Sequence, residues 1–397
     1  MADGTLTIRP SSLPANVLPV ALVAGLCALT LLTAFVSVAP NRLVSGTPHS
    51  LWAAAGPLGC LVLASLATLM AGLALRPSMP SRSLLQAVTS AGIVVALVAT
   101  AGFAATTAIT ATTSPLTRVS LGAGFWIWFS IGMLVFADAT GRVASLGVRV
   151  ALVTALFGAL IALAMSGALA NLSLAREFTV HRDTYLQEVQ RHLMLTTGGL
   201  LVALPLGSVL GAYALRRPGQ GSTIFAVLNL IQTIPSIALF AILISPLTAL
   251  VGALPVLRTL GFGGIGAFPA IIALSLYALL PVARCVHAAF QAVPSSAVSA
   301  GRGMGMTGWQ ITSRIVIPLA MPTLLQMLRV VIVQLIGLTV LTALIGAGGL
   351  GTFIFNGLGQ TAADLVLLGA LSTIAIALVV HLVLQTLTNI LTPQGRR

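Results

Sequence analysis

Side chains that could carry out acid–base, nucleophilic or metal chemistry are scarce in this chain. Its 397 residues include six acids, five histidines and three cysteines. The cysteines Cys27, Cys60 and Cys285 lie far apart, in or beside apolar runs, without the spacing of metal ligands. A membrane enzyme would need histidines and carboxylates in clusters, and here they are scattered. We therefore expect no catalytic residue, no metal site and no cofactor in this chain.

One stretch does match a cofactor fingerprint. Gly346, Gly348 and Gly351 have the Gly-x-Gly-x-x-Gly spacing of dinucleotide-binding proteins. That fingerprint requires a preceding β-strand, whereas this stretch follows an apolar run long enough for a membrane helix. We reject the cofactor interpretation and expect a tight turn or re-entrant segment, built on these residues and Gly349, at the end of that helix.

The composition indicates a membrane protein. Hydrophobic residues make up 58% of the chain and charged residues 6%, with a mean hydropathy of +1.09; soluble domains have about 25% charged residues. The net charge of +13 comes from 19 arginines, since the chain has no lysine. These arginines are scattered, singly or as adjacent pairs, between apolar runs, which excludes nucleic acid as a partner. The fold class predicted is an all-α polytopic membrane protein.

Ten charge-free runs are long enough to cross a bilayer core of about 30 Å. The shortest, 119–137, has 19 residues. Five runs lie in a predicted N-terminal transmembrane extension, 1–170, and five in a second region, 193–392. The runs are 10–41, 43–75, 83–117, 119–137, 150–175, 192–215, 218–257, 259–283, 330–363 and 365–395.

The arginines predict the orientation of these spans. With the N-terminus inside, thirteen arginines are cytoplasmic and six are external, as the positive-inside rule favours. Both termini are then cytoplasmic. The first run lacks a small-residue cleavage site, so we expect a retained span and not a removed signal peptide.

Two segments between the spans are long enough to hold structure. The outer one, 171–192, mixes charges and predicts a short amphipathic helix on the membrane surface. The inner one, 291–317, predicts two short helices: Ser295–Met304, opened by Pro294 with serines able to cap it, and Gly308–Val316, ended by Pro318. Such a helical pair has the shape to dock into a groove on a cytoplasmic partner; a plain connecting loop is the alternative.

The inner segment resembles a known motif. Ser299-Ala300-Gly301 is followed by three residues, Gly305, nine residues and Ile315-Val316-Ile317-Pro318. This spacing resembles the EAA loop of ABC importer permeases, with Ser299 replacing the motif's glutamate and Gly301 its second alanine. In that family the loop is the coupling helix that inserts into the ATPase. The resemblance implies the same role here, with Arg302 exposed beside the motif, and the lost carboxylate removes one ion pair with the ATPase.

Two further stretches resemble the osmoprotectant group of these permeases, which imports glycine betaine, choline or carnitine. They are 229–240, Asn-Leu-Ile-Gln-Thr-Ile-Pro-Ser-Ile-Ala-Leu-Phe, and 345–351, Ile-Gly-Ala-Gly-Gly-Leu-Gly. The resemblance covers about 190–392. The N-terminal spans, with 39–46 and 171–174, resemble the longer Yeh-type betaine permeases. The expected fold is thus a type I ABC permease core preceded by five extra helices.

This resemblance also implies partners. We expect a pair of ABC ATPase subunits that bind ATP and Mg²⁺, a second permease, of the same or a different chain, and an extracytoplasmic solute-binding protein. The bacterial inner membrane is the expected location. The chain itself lacks the lysine that a Walker A loop requires, so ATP hydrolysis is assigned to a separate subunit.

Pro235 marks a candidate translocation path. It lies within the seventh run, where a proline frees a backbone carbonyl and kinks a helix. Polar neighbours could line a route or could satisfy the backbone at a packing kink, and both alternatives stay open. These neighbours are Asn229, Gln232, Thr233 and Ser236. In the same scheme, Gly346, Gly348, Gly349 and Gly351 are candidates for an outer gate or turn.

Other hypotheses compete with the osmoprotectant importer. Methionine or another small solute could replace the osmoprotectant, because related importers share the fold and the loop. An ion-coupled secondary transporter would need carboxylates deep in a span, whereas Asp138 and Asp364 lie at the edges of runs. Arg329 is the one basic residue expected inside a span, and we interpret it as a buried anchor near the cytoplasmic face.

Overall fold

The computed structural model describes residues 33–42, 44–74, 81–109, 114, 116–259 and 262–391. The chain forms two compact units, Met1–Val180 and His181–Arg397. Most of the first predicted run, 10–41, lies outside the described residues.

The described part of unit 1 contains four long helices and one short one. They are α1 Leu51–Ala74, α2 Arg82–Ala108, α3 Ala123–Arg142, α4 Leu146–Met165 and α5 Ser173–Val180. The central helix is α2, which contacts α1, α3 and α4. Its buried residues are mostly small or β-branched, among them Ala87, Ile93, Val94 and Ala101, so the neighbouring helices can approach closely.

A small antiparallel sheet joins the loops of unit 1. Its strands are β1 Val36–Ala39, β2 Thr47–His49 and β3 Arg118–Leu121, in the order β2-β1-β3. The all-α prediction did not include these strands, because each has only three or four residues and lies between long apolar runs. Val36 and Val119 of the sheet are buried against Phe125 of α3.

The sheet bears on the predicted topology of unit 1. β1 pairs with β3, and α5 contacts β3. All three elements come from segments that the arginine distribution places outside. These three elements therefore lie together in unit 1.

The described part of unit 2 consists of helices. They are α6 Arg182–Arg216, α7 Pro218–Thr233, α8 Ser236–Ala253, α9 Pro255–Thr259, α10 Ala267–Gln291, α11 Ser295–Gly303, α12 Gly308–Ile311, α13 Ile317–Thr339, α14 Gly351–Gly359 and α15 Ala363–Leu391. A π-helical turn, Thr312–Val316, joins α12 to α13, and a 3₁₀-helix, Val340–Ile345, extends α13.

Helix α10 is the centre of unit 2. It contacts α6 most extensively and also α7, α8 and α13. Gly199, Gly207 and Gly211 lie on the face of α6 toward α10, where a Cβ would come within 2.8 Å of Leu274, Val282 or Ala283 atoms. These glycines let the two helix backbones approach each other, as is typical of helix pairs in membranes.

The predicted fold class is confirmed: the protein is a helical, multi-pass membrane protein. Eight described helices are long and apolar enough to cross a membrane, and the bent helix α1 could make a ninth. These nine correspond to the second through tenth predicted runs.

The structure differs from the predicted boundaries at three places. The segment 171–192 is divided: α5 lies in unit 1, and residues from Arg182 onward begin α6. The seventh run is broken at Pro235 into α7 and α8. Pro318 does not end the second loop helix, because the π-helical turn carries the chain directly into α13.

An ion pair holds α5 to the loop after β1. Arg42 pairs with Glu177, whose side chain is 2% exposed, against 33% for Arg42. On α3, Arg142 pairs with Asp138 at 2.8 Å, but both side chains are more than half exposed. The two pairs differ mainly in burial.

We expect Arg42→Ala to lower the free energy of unfolding by about 3 kcal/mol, since it removes the arginine that pairs with the buried Glu177 carboxylate. Arg142→Ala is the matched control and should cost less than about 1 kcal/mol. The thermal unfolding midpoints of the full-length variants in detergent measure the difference. Equal midpoints would show that the buried pair contributes no more than the exposed one.

Candidate functional site

The inner loop folds as two helices around a glycine turn. Helix α11 follows Pro294, and the structure shows no side-chain cap there, contrary to the expected serine cap. Gly305 adopts a left-handed conformation, φ 78°, and the Met306 N–H donates to the Gly301 carbonyl at 3.1 Å. This is a Schellman motif, which explains why the EAA spacing requires glycine at this position.

The two helices touch through the remaining motif positions. Gly301 is buried, and a Cβ there would lie 2.6 Å from the Ile315 side chain. Gly301 and Ile315 therefore form the contact that closes the loop. Pro318 is the second residue of α13 and cannot donate a main-chain hydrogen bond to the preceding turn, where the π-helix Thr312–Val316 lies.

The outer face of the loop is exposed. Ser299, Ala300 and Arg302 are exposed, as sequence analysis expected of a docking helix. Two large apolar residues accompany them: Met304 is 73% exposed and Trp309 is 76% exposed. Sequence reasoning missed both, although a tryptophan in a polar loop at a helix start is a readable signal of a contact surface.

Thr307 fixes the second helix. Its hydroxyl accepts from the Gln310 N–H at 3.3 Å, and the Gln310 side chain accepts from the Thr307 N–H at 2.8 Å. This capping box starts α12 and holds Trp309 in its first turn. The exposed face is thus a fixed surface and not a frayed loop.

The break at Pro235 is bridged by α10. The Tyr277 hydroxyl donates to the Ile234 carbonyl, which is next to the proline. In return, the Gln232 amide donates to the Tyr277 carbonyl at 2.9 Å. Gln232 thus satisfies a backbone group. Sequence reasoning missed Tyr277, because its partners come together only in the fold.

The other candidate path residues have separate contacts. Asn229 accepts from Arg284 of α10 at 3.1 Å, and Thr233 donates to the Leu230 carbonyl of its own helix at 2.7 Å. Pro235 is exposed and Ser236 half-buried. An open cleft nearby, between α10 and α13, is lined by Tyr277, Ala278, Pro281, Val331, Gln334, Leu335 and Leu338.

The glycine turn follows the 3₁₀-helix. Gly346, Gly348 and Gly349 have φ of 71°, 78° and 92°, which other residues rarely adopt. At Gly351 a Cβ would lie 1.8 Å from the Val340 carbonyl oxygen, so only glycine fits. The backbone conformation, or the close approach of another backbone atom, therefore explains why glycine occupies all four positions. The turn leads into the short helix α14.

Three residues on one face of α6 bind this turn, and we call them the clasp: Glu188, Arg191 and His192. The Glu188 carboxylate accepts from the Gly349 N–H, and Arg191 Nε donates to the Ala347 carbonyl at 2.9 Å. Residues at i, i+3 and i+4 share a helix face, so they reach the turn together.

His192 is the buried member of the clasp, with 0% exposure. Its Nδ1 accepts from the Leu350 N–H at 3.4 Å, and its Nε2 lies 3.1 Å from the Ile336 carbonyl. One acceptor and one donor define a neutral imidazole with the proton on Nε2. The ring therefore joins α6, α13 and the glycine turn.

The clasp was missed in the sequence because its members belong to a segment predicted as an outer surface helix. Their helical spacing was visible, but their partners are main-chain groups about 160 residues away. No sequence signal identifies such partners.

Residues 203–397 match the family of binding-protein-dependent transport system inner membrane components. Residues 14–175 match the family of the N-terminal domain of the ABC transporter permease YehY. The osmoprotectant import permease protein OsmW of Salmonella typhimurium is 37% identical over 52% of this chain and 91% of its own.

The chain belongs to the osmoprotectant group of ABC importer permeases. The carnitine transport permease protein OpuCB of Listeria monocytogenes is 34% identical to this permease, over 55% of this chain and 94% of its own. A solved inward-facing structure of the MetNI methionine ABC transporter is 24% identical, covering 53% of this chain and 96% of its own, with a TM-score of 0.45. The family match and the two permease relatives confirm the resemblance stated from the EAA spacing.

We expect His192→Ala to destabilise the permease by about 2 kcal/mol, because it leaves the Leu350 N–H and the Ile336 carbonyl buried without partners. His49→Ala is the matched control, since His49 is exposed in unit 1. Thermal unfolding in detergent compares the two. Equal midpoints for the two variants would mean that His192 does not hold the glycine turn.

Proposed function

We propose that this permease forms the membrane path of an importer for a small osmoprotectant such as glycine betaine, choline or carnitine. The observation that carries the proposal is the inner loop: a rigid helical pair with Trp309 and Met304 exposed beside the EAA residues. The relatives named for osmoprotectant and carnitine transport support the substrate class.

The loop suits a docking role. Its contact surface combines two large apolar side chains with Arg302, the composition typical of binding hot spots. ATP and Mg²⁺ would be bound by a pair of partner ATPases, since this permease has no lysine for a Walker A loop. Hydrolysis would move the loop, and α13, which continues from it, would transmit the motion toward the outer turn.

The remaining parts of the machine follow from the same proposal. A second permease, identical or different, would complete the path, and an extracytoplasmic binding protein would deliver the solute. Residues 193–392 would form the permease core, with the N-terminal extension 1–170 and the outer segment 171–192 before it. The protein would lie in the bacterial inner membrane with both termini cytoplasmic, as the arginine distribution favours.

The path would offer weak contacts to a quaternary ammonium solute. The cleft between α10 and α13 contains Tyr277 and Gln334 and no carboxylate among its lining residues. An aromatic ring attracts such a cation modestly, whereas a buried carboxylate would hold it tightly. Selection of the solute would then rest mainly with the binding protein. The clasp and the four turn glycines would form the outer gate.

Trp309→Ala should reduce the amount of ATPase that co-purifies with the permease by at least tenfold, because truncating a hot-spot tryptophan costs about 2 kcal/mol or more of binding free energy. Trp52→Ala is the control, since Trp52 is 64% exposed but lies in unit 1. The assay is affinity purification from membranes of the native organism, with identification of bound subunits and measurement of ATPase activity. Unchanged ATPase recovery with Trp309→Ala would contradict the docking role.

Ser299→Glu restores the carboxylate of the EAA pattern and should strengthen the association with the ATPase. The residue is exposed on α11, so the substitution changes no packing. The same purification compares ATPase recovery at increasing salt concentration. No gain over the native chain would indicate that the ATPase has lost the matching cation, and that the loop couples without this pair.

A further inference from the structure

Arg284 lies on the face of α10 that lines the cleft between α10 and α13. Tyr277 and Pro281 line this cleft, and Arg284 follows them by seven and three residues along the helix. Residues at these spacings share one face of a helix, because seven residues make almost two complete turns. The side chain of Arg284 is exposed. The cleft face of α10 therefore continues to an exposed arginine.

Contacts between α7 and α10 hold Arg284 in place. On one side, Tyr277 makes the two hydrogen bonds that bridge the break between α7 and α8. On the other side, the rings of Phe225 and His287 meet edge to face at 5.4 Å. Between these contacts, Arg284 Nη2 donates to the side-chain oxygen of Asn229 at 3.1 Å. Asn229, a path candidate from the sequence, thus positions the guanidinium.

Arg284 has no carboxylate partner in the described part of the chain. Its one hydrogen bond there is to Asn229, a neutral amide that leaves the positive charge in place. The acids of unit 2 lie elsewhere, in the first two turns of α6 or the first turn of α15: Asp183, Glu188 and Asp364. A guanidinium has five N–H donors in a planar fork. Arg284 therefore presents a charged donor group that suits an anion.

The depth of Arg284 follows from its position along α10. From Ala267, the first residue of α10, the helix rises about 15 Å to Tyr277 and about 26 Å to Arg284. Because the hydrocarbon core is about 30 Å thick, Tyr277 lies near its middle and Arg284 near one boundary. In the orientation proposed above, that boundary is the cytoplasmic one. A solute that moved inward along the cleft would pass Tyr277 first and Arg284 next.

We propose that Arg284, positioned by Asn229, binds the carboxylate of the transported solute at the cytoplasmic end of the cleft. The inference rests on the import function proposed above. It narrows the substrate class to zwitterions that combine a quaternary ammonium with a carboxylate, such as glycine betaine and carnitine. A carboxylate can accept two parallel hydrogen bonds from a guanidinium, and such charge-assisted bonds are stronger than neutral ones. Choline has a hydroxyl group in place of the carboxylate and would lose this contact.

The test uses the full-length permease with its co-purified ATPase in proteoliposomes, with binding protein outside and ATP inside. Uptake of labelled glycine betaine and of labelled choline by Arg284→Gln is divided by uptake by the native chain, so that the preference of the binding protein cancels. We expect about a tenfold loss for glycine betaine, since charge-assisted hydrogen bonds are removed. Choline uptake should change less than about twofold.

Arg216→Gln is the matched control, because Arg216 is an exposed arginine at the end of α6. Uptake of both solutes should stay close to that of the native chain. An equal loss for both solutes in Arg284→Gln would overturn the proposal but leave the import function in place. ATP-driven uptake of neither solute by the native chain would instead contradict the import function, and the site with it.

A second measurement needs no variant. Phenylglyoxal modifies accessible arginines, and mass spectrometry of peptides from the native permease measures the rate at Arg284, with Arg216 as the internal reference. Saturating glycine betaine should slow modification of Arg284 by about fivefold or more, whereas choline should not. Equal protection by choline would contradict the proposal. Protection by phosphatidylglycerol and not by glycine betaine would assign Arg284 to a lipid phosphate and overturn it.

Discussion

A peptide group inside a bilayer must find its hydrogen-bond partner within the protein, and this constraint shapes the second unit of the permease. Its helices are interrupted at Pro235 and at the glycine turn 346–351. Each interruption exposes main-chain groups that lipid cannot satisfy. Tyr277 supplies the partner at the first break, and the clasp supplies the partners at the second.

These two sets of hydrogen bonds also connect the parts that a transporter must move together. Tyr277 is on α10, the central helix, and the clasp is on α6, which packs along α10. On the other side of the membrane, α12 continues through the π-helical turn into α13, whose 3₁₀ extension ends at the glycine turn. A displacement of the inner loop would therefore reach the outer turn through a single helical stretch.

Sequence analysis predicted the elements that depend on composition and local spacing. The apolar runs matched the described helices, and the EAA spacing located Gly301, Gly305 and Ile315, whose roles in the loop are local. What it missed depends on long-range contact. Predicting the clasp requires the knowledge that α6 passes the glycine turn. Predicting the role of Tyr277 requires the knowledge that α10 faces the break at Pro235. The sheet of unit 1 forms only because three separate loops meet. The continuation of the helix past Pro318 was missed because a π-helical turn has no simple sequence signature.

ATP-driven import is tested most directly by uptake of labelled glycine betaine into proteoliposomes that hold the permease with its co-purified ATPase. The binding protein is supplied outside and ATP inside. We expect accumulation that requires ATP and the binding protein, and that continues when ion gradients are collapsed. Uptake driven by a sodium or proton gradient without ATP would contradict it and would make this chain a secondary transporter.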